Sequence, residues 1–269
     1  IGGEYDSNVS IEELDANSNQ SDYALTVDAE LQVDHQLSDT TDTSISYDFS
    51  QSMYDEFSGL DRQTHLLGAD INTDLGKTNT GVSLFYINAR LDSEAFLEYY
   101  RASPYVSGFL SKRWFARGAY VYSDRSIEQN SGRDGESHAG ELDLYYFRRG
   151  LRSYFNVGYK YKDEDAQEDR FDYKNNSFKA RYIHRLDVAN KPLKLEFSWR
   201  YEDRDYSSIT PSIGEKRKDE RHRVKFDAEY PVSERGTIQF YASYGDYDSN
   251  YPRADYTQEV IGTRYSYSW

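Results

Sequence analysis

The sequence predicts an all-β protein: a single closed antiparallel transmembrane β-barrel of about 14 strands, with residues 1–269 forming one domain. Three observations carry that expectation. Apolar and polar residues alternate with period two, short and long connections alternate along the chain, and the last strand ends on an aromatic residue.

Composition sets the frame. The hydrophobic fraction of the 269 residues is 37% and the mean hydropathy is −0.91, yet aromatics make up 16%, including 27 tyrosines. Disordered chains share the low hydropathy but are poor in aromatics. No run approaches the apolar length of a membrane-crossing helix. A barrel reconciles these facts, because each strand shows lipid only every second residue while the lumen and loops stay polar. Tyrosine suits the lipid boundary, its ring apolar and its hydroxyl wet. Cysteine is absent, which removes disulfide scaffolds and thiolate metal sites. A net charge of −15 argues against a nucleic-acid partner. Ile1 begins directly on strand-like sequence, as expected of a numbering that starts after processing or after a removed N-terminal region.

The alternation is cleanest in three places. Leu25, Val27, Ala29, Leu31 and Val33 alternate with Thr26, Asp28, Glu30 and Gln32. Leu193, Leu195, Phe197, Trp199 and Tyr201 alternate with Lys194, Glu196, Ser198 and Arg200. Val224, Phe226, Ala228 and Tyr230 alternate with Arg223, Lys225, Asp227 and Glu229. A helix of period 3.6 could not collect any of these sets on one face. The same pattern places strands near 2–9, 22–35, 43–55, 62–74, 78–91, 97–110, 113–125, 137–148, 151–163, 173–187, 192–206, 220–231, 235–247 and 255–269. Pro104 interrupts the sixth.

Short turns are expected near Ser38–Asp42, Gly76–Asn79, Ser111–Lys112, Arg149–Gly150, Ala189–Lys191 and Ser233–Gly236. Longer polar loops are expected near 10–21, 56–61, 92–96, 126–136, 164–172, 207–219 and 248–254. In outer-membrane barrels short turns face the periplasm and long loops face outside, and an even strand number puts both termini in the periplasm. Each loop reads as too short to form a large plug. In the last strand Ile261, Thr263, Tyr265, Tyr267 and Trp269 share one face. The terminal Tyr265, Tyr267 and Trp269 resemble the signal by which such barrels are recognised by their assembly machinery. The expected location is therefore the bacterial outer membrane, with its lipid and lipopolysaccharide as surroundings.

With the apolar set toward lipid, the other set lines the lumen. Its early members form an acidic wall: Asp28, Glu30, Asp48, Asp70, Glu141 and Asp143, with Arg117 the notable cation. Its later members form a basic wall: Lys160, Lys162, Lys179, Arg181, Lys194, Arg200, Arg223 and Lys225, mixed with Glu196, Asp227 and Glu229. Opposed walls would set a transverse field across a water-filled pore, orienting polar solutes and biasing ion passage. The plainer reading is mutual neutralisation of side chains that fill the bore. About fourteen strands lies between a filled barrel and an open channel.

Other constellations are weaker. Trp199, Tyr201, Tyr230, Tyr244, Tyr265 and Tyr267 could stack sugars, but their alternation puts them on the lipid face as interfacial girdles. The acidic run Asp163, Glu164, Asp165, Glu168, Asp169 and Asp172, and a second from Asp246 to Asn250, lack the spacing of a calcium loop. Some outer-membrane barrels are hydrolases, using a His with Ser or Asp near the rim. Of His35, His65, His138, His184 and His222, only His138 beside Ser137 and His222 lie near outer strand ends, and neither sits in a motif. No catalytic residue, metal site or cofactor is expected.

At the N-terminus, Gly3-Glu4-Tyr5-Asp6-Ser7-Asn8-Val9 resembles the opening strand of barrels that follow a periplasmic tetratricopeptide-repeat domain. Tyr201 to Glu215 and the Tyr247-Asp248-Ser249-Asn250 stretch are similar to such barrels too. That group includes the surface lipoprotein assembly modifier family and related export or porin-like proteins. The resemblance implies a barrel of about fourteen strands whose repeat domain handles a periplasmic partner; no helical 34-residue period occurs in these residues. The expected function is a narrow porin-like channel for small polar or charged solutes. The alternative is a translocation or scaffold barrel for a lipoprotein or polysaccharide, working with a periplasmic repeat domain or a surface protein. A structural or adhesive barrel with a closed pore is a third class.

Overall fold

In the computed structural model, which describes residues 1–269, the alternating segments form a ring of fourteen antiparallel strands. They are β1 (Gly2–Asp6), β2 (Asp22–Ser38), β3 (Thr41–Tyr54), β4 (Arg62–Asp74), β5 (Thr78–Leu91), β6 (Glu94–Phe109) and β7 (Trp114–Ile127). The second half comprises β8 (Gly135–Phe147), β9 (Ser153–Ala166), β10 (Tyr173–Val188), β11 (Lys191–Thr210), β12 (Glu215–Pro231), β13 (Gly236–Ser249) and β14 (Tyr256–Tyr267). Each pairs with its sequence neighbours, and β1 closes the ring by pairing with β14 (Gly2 opposite Arg264) and β2 (Gly2 opposite Thr26). Closure leaves the barrel sheet no free edge, which lets strands stand in hydrocarbon with their backbone groups satisfied.

The apolar members of the alternation face outward. Ile45, Leu67, Leu84, Val106, Leu142, Val157, Phe178, Phe197, Phe240 and Ile261 are all exposed, whereas Ser83, Ser103, Asp143, Asn156, Glu202 and Asp227 on the inner face are buried. That inversion of the soluble rule is the signature of a lipid-facing barrel. Both termini lie at one end, with Ile1 N–H donating to the Tyr265 carbonyl at 2.9 Å.

Three local features differ from the expectation. Pro104 does not interrupt β6: it faces outward opposite Val82, and the ladder to β7 skips Ser103 and Pro104 before resuming at Tyr105 in the same register. A proline needs no ladder partner for the N–H it lacks, so a local gap accommodates it. The expected loop at 92–96 shrinks to the two-residue turn Asp92–Ser93, both with positive φ, as a tight hairpin turn requires. The expected loop at 207–219 is mostly strand. There β11 and β12 continue past their outer neighbours as a ribbon whose pairs run to Thr210 opposite Glu215, around a turn containing Gly214 at φ +74°.

The largest departure is the connection between β1 and β2. Instead of standing in solvent it folds into the barrel.

Candidate functional site

Residues 7–21 enter the mouth opposite the termini. The Asn8 amide donates to Asp6 Oδ1 at 2.9 Å and Asn8 Nδ2 to the Thr257 carbonyl at 3.1 Å, which turns the chain inward from β1. Ser10–Ile11 then pairs with Ala16–Asn17 as a two-residue ribbon, capped by a 3-10 turn at Glu12–Leu14. Asp15 closes that turn in the left-handed region, at φ +51°.

One side of this segment is apolar. Ile11 is buried among Ala89, Leu91, Phe96, Leu97 and Ile127, with Leu14, Leu60 and Tyr99 packed at the margin. Ala89, Leu91, Leu97 and Ile127 occupy the mouth ends of β5 to β7, where the wall is greasy rather than charged. Burying an isoleucine side chain there contributes roughly 1.5–3 kcal/mol.

The other side is acidic and meets arginines. Glu12 pairs with Arg204 at 3.3 Å, Arg223 at 3.3 Å, and Arg221. Asp15 accepts two hydrogen bonds from Arg217, at 2.7 and 2.9 Å, and is also paired with Arg133. Arg217 is fixed in turn by Asp219 at 2.7 and 2.8 Å and lies over the ring of Tyr206. Glu13 holds Arg62 of β4 at 2.9 Å. In a ring of fourteen, β5 and β12 stand opposite each other. A segment touching both therefore bridges the bore.

Burial alone would raise the carboxyl pKa of Glu12, but Arg221, Arg223 and Arg204 outweigh it and hold it below the usual range. Asp15 behaves likewise: desolvation pushes it up, and the Arg217 hydrogen bonds with the Arg133 and Arg217 charges bring it well below. Both acids, Asp15 buried and Glu12 half-buried, are therefore ionised at neutral pH, as paired carboxylates must be to hold their arginines.

The inner wall, from the mouth segment to the terminal end, carries the residues singled out in the sequence. Asp28 pairs with Arg264 across the closing seam at 3.0 Å. Asp28, Glu30 and Asp48 line a cavity of about 960 Å³ at the terminal end. Asp70 accepts from Ser83 Oγ at 2.5 Å and Tyr105 Oη at 3.0 Å, and Arg117 lies over the Tyr105 ring. Glu141 meets Arg101 at 3.1 Å and Lys160 at 3.3 Å; Asp143 meets Lys179 at 2.7 Å. Lys162 holds Glu164 at 2.5 Å. Arg181 and Lys194 flank Glu196, each at 3.7 Å, and Lys194 also meets Glu229 at 2.8 Å. Arg223 holds Glu202 at 2.8 Å, Lys225 holds Asp227 at 3.3 Å, and Arg200 approaches Glu202 only to 3.8 Å. The acids of β8 thus meet the bases of β9 and β10 directly, while Asp28, Glu30 and Asp48 gather apart on β2 and β3.

Sequence reading missed Glu12, Glu13 and Asp15, and their partners Arg62, Arg133, Arg204, Arg217 and Arg221. Ile11 and Leu14, an apolar pair inside a polar connection, were the available signal. Of the remaining candidates, Tyr265, Tyr267 and Trp269 are exposed at the terminal end. The acidic run 163–172 divides: Glu164 turns inward to Arg125 and Lys162, and Asp172 caps the Ala166 amide at 2.7 Å. Ser137 bonds Ser123 on the inner face at 2.6 Å, whereas His138 lies outside against Tyr120. Neighbours on opposite faces of one strand cannot form a nucleophile–base pair.

Residues 5–234 match the surface lipoprotein assembly modifier family. The chain belongs to that family. No curated relative matches this surface lipoprotein assembly modifier barrel. Among solved structures it is similar to OmpT, an outer membrane protein of Vibrio cholerae, with a TM-score of 0.56 at 11% identity over 100% of this chain and 95% of that one. It is also similar to an anion-selective porin from Comamonas acidovorans, with a TM-score of 0.52 at 10% identity over 98% of this chain and 96% of that one. These likenesses are of fold: this is an outer-membrane barrel.

Proposed function

We propose that this barrel is a translocation or scaffold barrel that helps deliver a lipoprotein to the cell surface, with its lumen closed at rest. The observation that carries the reading is the segment 7–21, which bridges the bore between the apolar patch of β5–β7 and the arginines of β11–β12. A segment seated across the mouth by ion pairs and an apolar patch, able to leave and return, suits a barrel that passes an occasional large cargo. The family name, which concerns surface lipoprotein assembly, supports the same direction. In this reading the termini face the periplasm, where a repeat domain or another helper hands over the cargo, and residues 7–21 guard the outer mouth. The work of the chain is binding and passage, with no chemical step.

The test is display of a surface lipoprotein in cells with and without the barrel, read as accessibility to added protease. Display that is unaffected by removing the barrel would overturn the export reading.

A second reading, a narrow channel for small charged solutes, is favoured by the polar cavities below the bridging segment, about 550 and 960 Å³ in volume. Planar-bilayer recording separates the two. A solute channel gives steady conductance steps from the intact chain; an export barrel gives them only after Ser10–Asn17 is deleted.

A further inference from the structure

Below the bridging segment the inner wall contains an arrangement that folding alone does not favour. Lys179 of β10 stands directly opposite Arg200 of β11, and Arg200 directly opposite Arg223 of β12. Like charges placed face to face across a ladder repel and destabilise the sheet. Their neutralisation is incomplete. Lys179 has Asp143, Arg223 shares Glu202 and Glu12, and Arg200 has only Glu202, at 3.8 Å, already bonded to Arg204 at 2.8 Å.

Two adjoining cavities open onto this row. The larger, about 550 Å³, carries seven lysines and arginines against the carboxylates Glu141, Asp143 and Glu202. The smaller, about 350 Å³, carries five against Glu196 alone. Lys179 and Arg200 line both. In a chain with 47 acidic and 32 basic residues, this local excess runs against composition. The electrostatic demand of the row is for added negative charge.

We propose that the row Lys179–Arg200–Arg223 binds an acidic polypeptide segment of the transported cargo, and that Glu12 is a resident acid which this segment displaces from the end of the row. The inference rests on the export reading above. Adjacent strands place the row's cations about 5 Å apart, and carboxylates on one side of an extended chain recur about every 6.6 Å, so one extended acidic stretch can address several of them. The bridging segment supplies the precedent within the molecule: its Glu12 already sits against Arg223, and Arg204 joins that pair to the larger cavity. Arginine clusters are the recurring recognition surface for acidic peptides, through charge-assisted hydrogen bonds.

The experiment uses the full chain folded in detergent micelles and fluorescently labelled polyglutamate and polylysine peptides, read by anisotropy. Polyglutamate binds the unaltered chain and polylysine does not. The double variant K179Q/R200Q weakens polyglutamate binding at least tenfold, R200K retains it within about threefold, and E12Q tightens it severalfold by removing the competitor. K179Q also takes a partner from buried Asp143, so the single variant R200Q, whose residue has no carboxylate nearer than 3.8 Å, is measured beside the double variant. It weakens polyglutamate binding severalfold without lowering the melting temperature, which separates lost binding from lost folding. Equal binding by K179Q/R200Q, equal binding of polylysine, or occupancy by inorganic phosphate with no affinity for polyglutamate overturns the proposal. The display assay keeps the two ideas distinguishable. Peptide binding in a barrel that display does not need sinks export and leaves the site; barrel-dependent display without peptide binding sinks the site alone.

Discussion

Replacing Asp15 by Asn removes the charge that latches the bridging segment while keeping the side-chain shape. Asp15 and Arg217 are each only 3% exposed in their side chains, and two hydrogen bonds of 2.7 and 2.9 Å join them. Breaking a buried pair and leaving one partner behind costs about 3–5 kcal/mol. Arg217 keeps Asp219 at 2.7 Å and Arg133 keeps the Glu13 carbonyl at 3.2 Å, so the lower end applies, about 3 kcal/mol. With each ~1.4 kcal/mol worth a factor of ten, the segment should leave its seat roughly a hundredfold more often. Amide hydrogen exchange reads this directly, because the Ser18 amide donates to the Val9 carbonyl at 2.9 Å and the Val9 amide to Gln20 at 3.2 Å. Both should exchange about a hundredfold faster in D15N, with the ladder amides of β11 unchanged. Unchanged protection at Ser18 and Val9 would refute the idea that the Asp15 pairs latch the segment.

Further outcomes follow from the same geometry. The carboxyls of Glu12 and Asp15 are depressed in the folded state, so their latching contribution is complete above the ordinary carboxylate range and is lost as pH falls through the depressed values. Bilayer conductance should therefore stay low from pH 7 to pH 5 and rise only below about pH 4; opening near pH 6 would count against a carboxylate latch. Ile11→Ala empties the apolar seat lined by Leu91, Phe96, Leu97 and Ile127, at about 2–5 kcal/mol, and should expose 7–21 to protease while the barrel stays folded. Deleting Trp269 should lower the amount of barrel inserted in cells yet leave refolding into micelles intact, since the residue is 81% exposed and packs little; equal insertion would remove the assembly-signal reading.

The ring itself was legible in the sequence because a strand that faces lipid on one side and water on the other must alternate with period two. Leu193 to Tyr201 could adopt no other regular structure. The ends were less legible. Past Tyr206 the chain carries Ser207, Ser208, Pro211 and Gly214, which read as loop, and only pairing between β11 and β12 themselves extends the ribbon there. The bridging segment was hidden for a different reason. Glu12, Glu13 and Asp15 look like a solvated run, and nothing nearby in sequence answers them. Their partners Arg133 and Arg217 lie 118 and 202 residues further on. The inner wall was legible as charges but not as pairs, because Lys179, Arg200 and Arg223 become neighbours only once two ladders, β10–β11 and β11–β12, are in register.

That same separation orders events in time. The segment 7–21 is among the first parts of this chain to be synthesised, but its seat consists of β5, β6, β7, β11 and β12, and exists only when the ring has closed. Its contacts span so much of the sequence that the loop-closure entropy for them must already have been spent by the strands. Docking of 7–21 therefore needs those strands in place first, so a connection made early in the chain is seated late.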